Sequence, residues 1–196
     1  MPAIRRAEEK DRAAILAAAQ DVGVFTNDEV ACVDELLDVY LHKPGQQDYV
    51  FLVRCDEQNH PLGFSCHGPT PMTEGTFDLY WLCVSSHAQG KGIASALLDG
   101  VVQELCAQGG RLLVLETSST PPYRPARAFY EKHGFDRRTG IPDYYRPGDD
   151  LVMYAKYLVS SHPRRGGMDA EYGSLPRRGG MEYLETARQA TESKGD

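Results

Sequence analysis

The segment that most restricts the fold of this chain is VSSHAQGKGIASALL, residues 84–98. An apolar run typical of a strand ends at its first residue, and a helical pattern begins after its second glycine. Gly90 and Gly92 lie on either side of Lys91 at the junction, and Ala94 keeps the first helical turn slim. Such a junction exposes backbone N–H groups at the positive end of a helix dipole, which suits a pyrophosphate. The fold must therefore contain a strand that ends at Val84 and leads directly into a helix that begins after Gly92.

The glycine-rich segment also has less specific interpretations. An ordinary tight turn between a strand and a helix uses the same residues, so the loop alone leaves that reading open. A Walker phosphate loop is excluded, because no Gly-Lys-Ser or Gly-Lys-Thr occurs at the required spacing. A dinucleotide fingerprint fits poorly, because the loop follows the fourth predicted strand and no acidic residue closes the next strand at the usual distance.

Hydrophobic periodicity predicts the elements around this loop. Strands are expected at 3–6, 49–55, 61–68, 76–84, 111–117, 135–140 and 150–158, and helices at 8–20, 27–42, 92–108 and 124–133. Asn27 is the expected N-cap of the second helix. The turn-rich DEQNH at 56–60 predicts a hairpin between its flanking strands. The order predicts an α/β fold, in which helices cover both faces of a mixed central sheet.

The composition changes near residue 160. Residues 1–159 are predicted to form one domain, and residues 160–196 a C-terminal extension rich in Gly and Arg. The extension repeats PRRGGM at 163–168 and 176–181. Two copies are too few for a solenoid. The extension is therefore expected either to be a flexible, solvated tail or to dock a partner or a second copy of the chain.

The overall composition excludes several classes of protein. With 41% hydrophobic residues, the chain has enough apolar material for a core, but no run reaches the roughly 18–20 residues that span a bilayer. The N-terminal sequence lacks the apolar core of a secretion signal, which predicts a cytoplasmic protein with no membrane partner. A net charge of −7 argues against a nucleic-acid partner. The 5 cysteines are scattered, which predicts neither a disulfide framework nor a metal site.

Three motifs in order resemble the GNAT superfamily of acyl-coenzyme A-dependent N-acyltransferases. Gln89, Gly92 and Ala94 match the family pattern [RQ]-x-x-G-x-[GA] at the strand–helix junction. RAFYEKHGF at 127–135 resembles the second motif, A-x-x-x-Y-x-x-x-G-F, which begins at Ala126. DYYRPGDDLVMYAKYL at 143–158 resembles the terminal strands of N-terminal amine acetyltransferases. The resemblance covers residues 3–158 and implies the GNAT fold.

The resemblance also implies how the chain holds acetyl-coenzyme A, with no metal. In this family the fourth and fifth strands part, and the backbone N–H groups of Cys83 and Val84 would polarise the thioester carbonyl. The pyrophosphate would lie on Gln89, Gly90, Lys91, Gly92, Ile93 and Ala94. Many members carry Asn seven residues before the motif tyrosine, where this chain has Tyr123 in a loop that looks longer. Tyr123 is therefore expected at the cofactor.

Tyr130 aligns with the family tyrosine that protonates the departing thiolate. Two carboxylates compete for the role of base. Glu116 ends an apolar strand and matches a glutamate of the ribosomal-protein acetyltransferases, whereas Asp78 lies where histone-type members place their base. A water relay without a single base is the third alternative. Burial at either carboxylate would raise its pKa toward that of a base. His87 and His133 are interpreted as a solvated turn residue and a helix C-cap.

The acceptor side is expected at the loop between the first two helices, on the fourth strand and in a loop at 141–148. The residues concerned are Phe25, Thr26, Tyr80, Tyr144 and Tyr145. Aromatic rings and a few carboxylates suit either a small-molecule amine or a peptide N-terminus. A third hypothesis is a non-catalytic acyl-coenzyme A binder. Retention of both Tyr130 and Glu116 argues against it. The resemblance also allows a homodimer.

Overall fold

The computed structural model describes residues 4–158, which contain seven strands and four helices. The strands are β1 (Ile4–Arg6), β2 (Val50–Cys55), β3 (Pro61–Pro69), β4 (Thr76–Val84), β5 (Leu112–Ser118), β6 (Asp136–Arg146) and β7 (Asp149–Tyr157). The helices are α1 (Arg12–Asp21), α2 (Asn27–His42), α3 (Ile93–Ala107) and α4 (Arg124–Lys132). The predicted extension at 160–196, and both hypotheses for it, lie outside the described residues.

All seven strands join one sheet, in the order β1-β2-β3-β4-β5-β7-β6. Only β4 and β5 pair in parallel, and the other neighbouring pairs are antiparallel. Parallel strands need a long crossover, which α3 supplies here. The predicted order of elements and the mixed sheet are both confirmed. β2 and β3 form the expected hairpin.

Two apolar clusters cover the two faces of the sheet. The α3 cluster contains Leu97, Leu98, Val101 and Leu105 of α3 with side chains from β4, β5 and β7. The α1–α2 cluster contains Ile15, Val33 and Leu37 with side chains from β2, β3 and β4. Along β2, Phe51 and Val53 enter the α1–α2 cluster and Leu52 the α3 cluster. Because side chains alternate along a strand, the clusters lie on opposite faces, called here the α3 face and the α1–α2 face.

The start of α2 corrects one prediction. Thr26, and not Asn27, is the N-cap of this helix. The backbone N–H of Glu29 donates to Thr26 Oγ1 at 3.2 Å, and Glu29 Oε2 accepts from the Thr26 N–H at 2.7 Å. This reciprocal pair is a capping box, which satisfies two backbone donors of the helix end. It fixes the side chain of Glu29 at the end of the α1–α2 connection.

An irregularity in β4 changes which face its side chains occupy. Cys66 of β3 pairs with Trp81 and His67 pairs with Leu79, so Tyr80 is an extra residue on β4. Such a bulge shifts the alternation of side chains by one residue. Before it, Leu79 packs in the α3 cluster, and after it Trp81 and Cys83 pack against the α1–α2 cluster. After the bulge, the odd-numbered side chains of β4 therefore face α1 and α2, whereas before it they face α3.

The closing strands differ from prediction in their length. β6 continues to Arg146, so most of the segment predicted as a loop at 141–148 is strand. A register shift between Ile141 and Arg146 interrupts its pairing with β7. The two strands are joined by a tight turn at Pro147 and Gly148, where Gly148 has a φ of 81°.

Within residues 4–158, no helix is long and apolar enough to cross a bilayer.

Candidate active site

The candidate site is a gap between two strands that begin as partners and then separate. Thr76, Phe77 and Asp78 pair with the start of β5, and the pairing ends there. Beyond that point β4 stays paired only with β3, up to Val84, and β5 stays paired only with β7, up to Ser118. We call the space between these two strand ends the β4–β5 gap. Its edges offer backbone groups that an extended ligand could bind.

The pleat of β4 decides which of its amides face this gap. Ser85 N–H donates to the carbonyl of Leu62, in β3, at 3.0 Å. Because backbone groups alternate in direction along a strand, Cys83 N–H also points toward β3 and Val84 N–H points into the gap. Of the two amides expected to bind the thioester, only that of Val84 is directed there. The buried thiol of Cys83 instead lies 3.4 Å from the Ala18 carbonyl, and burial raises its pKa to about 12.

The loop after β4 presents a run of backbone donors. Residues 86–88 form one turn of 3₁₀ helix, and α3 begins at Ile93 with Gly92 as its N-cap. From Gly90 to Ser95, six consecutive N–H groups have no acceptor among residues 4–158; the first helical bond of α3 is donated by Ala96. Donors at a helix N-terminus bind anions. The predicted pyrophosphate loop thus has the expected shape, extended by one residue to Ser95.

The glycines of this loop are required by backbone conformation. Gly90 and Gly92 have φ angles of 73° and 75°, in the left-handed region that other residues avoid. A Cβ placed on either would meet no atom within 4 Å, so the space above both is open. Gln89 closes the loop by donating from Nε2 to the Val84 carbonyl at 3.3 Å. Lys91 Nζ turns back to the His87 carbonyl at 3.0 Å.

Tyr130 projects from α4 toward the same end of the sheet. Its half-buried ring packs against the α3 cluster and makes edge contacts with Phe129 and Phe135. Its hydroxyl has no hydrogen-bond partner within the described chain. Desolvation, and next the nearby Cys83, raise the pKa of Tyr130 well above its usual range. The phenol is therefore an available proton donor at neutral pH.

A histidine ties α4 to the start of α3. His133 is the C-cap of α4, as predicted, and its Nδ1 lies 2.8 Å from the Phe129 carbonyl. A carbonyl can only accept, so Nδ1 carries a proton, and in the neutral ring Nε2 is then an acceptor. Nε2 lies 2.9 Å from Ser95 Oγ, which therefore donates to it. His133 thus holds Tyr130 and the first turn of α3 in one unit. His87 is exposed, as expected of a turn residue.

The two candidate bases lie in different surroundings. Asp78 is the last residue of β4 that pairs with β5, and its Oδ2 accepts from Thr70 Oγ1 at 2.6 Å. Glu116 lies past the end of that pairing and is exposed, so the expected burial does not occur there. Leu115, its neighbour on β5, packs in the α3 cluster, which directs Glu116 to the α1–α2 face. Glu116 is the carboxylate beside the gap.

Aromatic side chains border the gap on the α1–α2 face. Phe25 packs edge-to-face on Trp81 with ring centroids 5.1 Å apart, so the α1–α2 connection rests on β4. Tyr144 and Tyr145 of β6 are exposed and perpendicular to each other. Desolvation raises the pKa of Tyr145 to about 12, and the largest of the smaller electrostatic contributions comes from Glu116. Tyr145 and Glu116 are therefore neighbours on this face.

Tyr80, the residue of the bulge, lies farther along this face. Its ring meets Tyr49 at a centroid distance of 5.5 Å. Desolvation, and then Asp78, raise its pKa to about 12. Tyr80 is thus grouped with Asp78, at the place where the strands are still paired. Tyr145, in contrast, lies near Glu116, where β4 and β5 have separated, and Tyr144 packs against Tyr145.

Three further residues were not predicted. Glu29 joins the α1–α2 connection to Tyr123, whose hydroxyl lies 3.3 Å from both Glu29 Oε1 and the Val24 carbonyl. The pattern Thr-x-x-Glu at 26–29 was a signal for the position of Glu29. Trp81 and Ser95 gave no such signal. The hydroxyl of Tyr123 is thus directed to the α1–α2 connection, and that of Thr26 is occupied by the capping box.

Across the described residues, no group of three or more His, Cys, Asp or Glu side chains could hold a metal ion.

Comparison with known proteins links this geometry to one family. The sequence profile of the "Acetyltransferase (GNAT) domain" matches residues 46–137. A crystal structure from Desulfovibrio desulfuricans, assigned to the GNAT family of acetyltransferases, is 37% identical with a TM-score of 0.78, and the match covers 81% of this chain and 100% of that one. YsnE of Bacillus subtilis, described as an uncharacterized N-acetyltransferase, is 33% identical over 72 residues, 37% of this chain. That match spans about half, 47%, of the relative's length.

More distant structures share the fold. The ribosomal-protein-S18-alanine N-acetyltransferase of Escherichia coli is 21% identical with a TM-score of 0.65, over 84% of this chain and 98% of its own. An aminoglycoside 6'-N-acetyltransferase complexed with coenzyme A is 15% identical with a TM-score of 0.65, over 82% and 99%. At such identities the likeness concerns the fold alone.

The left-handed glycines allow a direct test of the amide loop. Changing Gly92 to Ala should lower the free energy of unfolding by about 1 kcal/mol, because an L-residue is strained at positive φ. The same strain should turn the amides away from their present direction and weaken coenzyme A binding, measured by calorimetry. Gly109→Ala is the matched control, since Gly109 has a φ of 78° at the other end of α3 and also meets no atom within 4 Å. Equal losses of coenzyme A affinity in both variants would contradict the assignment of the loop.

Proposed function

Because the chain belongs to the GNAT family of acetyltransferases, we propose that it moves an acetyl group from acetyl-coenzyme A to the primary amine of a small, positively charged acceptor. The observation that best supports this proposal is the β4–β5 gap. On the α3 face it adjoins a run of free amides and the phenol of Tyr130. On the α1–α2 face it adjoins Glu116 and aromatic rings. The gap therefore connects two differently equipped sides of one sheet, as direct transfer between two bound substrates requires.

The amides from Gly90 to Ser95 are proposed to hold the pyrophosphate of coenzyme A. The open space over Gly90 and Gly92 supports this fit, because nothing on the chain competes for it. Gln89 serves the loop rather than the ligand, by fixing it to the Val84 carbonyl. Ile93 is buried and anchors the helix, and half-buried Ala94 leaves its first turn narrow. Lys91 contributes charge at the rim of the site while its ammonium group bonds to the chain.

Val84 is proposed to polarise the thioester. Its N–H points into the gap, where no strand accepts from it, so it can donate to the carbonyl oxygen as negative charge develops there. The side chain of Val84 is buried in the α3 cluster, which holds that amide rigidly. Preorganisation of this kind lowers the barrier, since the donor does not reorient during the reaction.

Tyr130 is proposed as the general acid. When the C–N bond forms and the C–S bond breaks, the departing thiolate takes the phenolic proton. The raised pKa of Tyr130 keeps this proton in place until then. The same low-polarity surroundings also make a thiolate more basic, which brings the two groups closer in proton affinity.

Glu116 is proposed as the base that takes a proton from the attacking ammonium group, directly or through one water. It lies beside the gap, whereas Asp78 lies where the strands are still paired and is engaged by Thr70. The carboxylate and the phenol then work on opposite faces of the sheet. The ammonium group loses one proton to Glu116 before it attacks, and the sulfur gains the phenolic proton of Tyr130 as the C–S bond breaks. The nitrogen loses its second proton once the C–N bond has formed, and a proton returned through water restores the phenol.

The acceptor side favours a cation. Phe25, Trp81 and Tyr145 offer aromatic surface, which attracts ammonium groups. Glu29 and Glu116 add negative charge on the same face, since both raise the pKa of Tyr145. A primary amine is protonated in water and would be drawn to such a surface before it reacts.

A coenzyme A release assay with a panel of acceptors tests the proposed function. We expect turnover with small primary amines, and little with peptides that offer only an N-terminal amine. Turnover confined to peptides would replace the acceptor class with a protein N-terminus. Tight binding of acetyl-coenzyme A with no turnover of any acceptor would contradict an enzyme altogether.

Replacing Tyr130 by Phe should reduce kcat by roughly 100-fold, the usual contribution of a general acid, with little change in acetyl-coenzyme A affinity. The packing of the ring is retained, so the loss reports on the hydroxyl. Tyr154→Phe is the matched control, because its hydroxyl bonds Glu131 at 2.8 Å and its ring also packs in the α3 cluster. Unchanged kcat in the Tyr130 variant would remove the acid assignment.

Replacing Glu116 by Gln should lower kcat/KM at least about tenfold and abolish the acidic limb of its pH profile, since that limb reports protonation of the base. Asp78→Asn is the paired variant and should retain the limb. If the Asp78 variant loses the limb instead, the base is Asp78. If both variants keep it, deprotonation runs through water.

A further inference from the structure

One contact across the proposed acceptor side joins two segments far apart in sequence. The hydroxyl of Tyr123 lies 3.3 Å from Glu29 Oε1 and 3.3 Å from the Val24 carbonyl. Tyr123 ends a 3₁₀ turn at Pro121–Tyr123 that follows β5. Glu29 lies in the first turn of α2. Val24 lies in the α1–α2 connection, which rests on β4 through Phe25 and Trp81. The contact therefore connects the β5 side of the gap with the β4 side.

Both ends of this contact are held in place. On one side, the capping box fixes Glu29 Oε2 to Thr26 and leaves Oε1 for Tyr123. On the other, Ser118 Oγ donates to Asp149 at 2.5 Å, and Arg127 binds the carbonyls of Ser118 and Thr120 at 2.6 and 3.0 Å. A hydrogen bond between two fixed groups limits how far the segments can separate. It costs little ordering entropy, because its partners are already in place.

The protonation states suit a lasting hydrogen bond. Desolvation, and then the charge and hydrogen bond of Glu29, raise the pKa of Tyr123 well above its usual range. The phenol remains a donor across the physiological pH range. Both distances, 3.3 Å, are long for a hydroxyl donor, so its single proton is shared between the Glu29 carboxylate and the Val24 carbonyl.

We infer that the contact of Tyr123 with Glu29 and Val24 is a strap across the acceptor side of the β4–β5 gap, which limits its width and so selects slender amines. The inference rests on the proposed function. It assigns Tyr123 to the acceptor side, although its position in the family pattern predicts a cofactor contact. Tyr123 and Glu29 are positioning residues, since they act by holding Phe25 and the α1–α2 connection over the gap.

The test compares Tyr123→Phe with the unchanged protein, using an unbranched primary amine and one branched next to the nitrogen. Loss of one hydrogen bond should raise the KM of the unbranched amine about three- to tenfold. The preference for the unbranched amine, as a ratio of kcat/KM values, should fall by a similar factor. The KM of acetyl-coenzyme A should stay within about twofold. A changed acetyl-coenzyme A KM with an unchanged acceptor preference would overturn the inference.

Two further variants separate the strap from other causes. Glu29→Gln removes the charge but keeps a side chain that can bond Tyr123 and complete the capping box, so it should retain most of the preference. If its preference falls as in Tyr123→Phe, the charge of Glu29 sets the preference directly and there is no strap. Tyr40→Phe controls for general loosening, because its hydroxyl donates to the Ala7 carbonyl at 3.2 Å in the α1–α2 cluster. It should leave the preference unchanged.

Hydrogen exchange distinguishes failure of the strap from failure of the proposed function. Tyr123→Phe should speed exchange of the Glu29 and Val30 amides, which close the first turn of α2, and leave Leu97 and Leu98 unaltered. Unaltered exchange at Glu29 and Val30 would refute the strap even if the enzyme turns over. Faster exchange without turnover of any amine would refute the proposed function and leave the strap as a structural contact.

Discussion

The separation of β4 from β5 is the feature on which the rest of the site depends. Both strands keep their outer partners, so the sheet loses pairing only along one internal line beyond Asp78. Unpaired backbone inside a sheet is costly unless something else bonds to it. Here the Tyr80 bulge bends β4 at the place where pairing ends, and Gln89 takes up the Val84 carbonyl. The Val84 N–H remains for a ligand.

The same bulge distributes the chemistry between the two faces. Without it, Trp81 and Cys83 would follow Leu79 into the α3 cluster, and Phe25 would have no aromatic partner on β4. With it, the end of β4 shows an aromatic surface to the α1–α2 connection while Val84 packs against α3. One extra residue therefore places the proposed acceptor side and the proposed cofactor side on opposite faces of the sheet.

The sequence was sufficient for the order of elements, the mixed sheet and the glycine-rich loop. These depend on local signals: periodicity, caps and glycines at positive φ. The bulge at Tyr80 could not be predicted, because it arises from the register with β3 and leaves no local pattern. The length of β6 was missed for a similar reason, since its continuation past Ile141 depends on β7. Asn27 is not the N-cap of α2, because Thr26 and Glu29 form a capping box one residue earlier. The contacts of the Tyr123 hydroxyl leave no local signal, because its partners lie 94 and 99 residues away.

The placement of the proposed acid and base follows from what the reaction must do with its protons. The ammonium group has to lose one proton before attack and a second once the C–N bond has formed, and the sulfur has to gain one as it leaves. If one residue served both steps, it would have to reach both sides of the thioester plane. A sheet with an internal gap removes that requirement, because Glu116 and Tyr130 can each stay on one face. Each residue can then keep the environment that suits it. Glu116 remains exposed, and Tyr130 remains desolvated with a raised pKa. The gap thus supports a mechanism in which both substrates are bound at once and no acyl group rests on the protein.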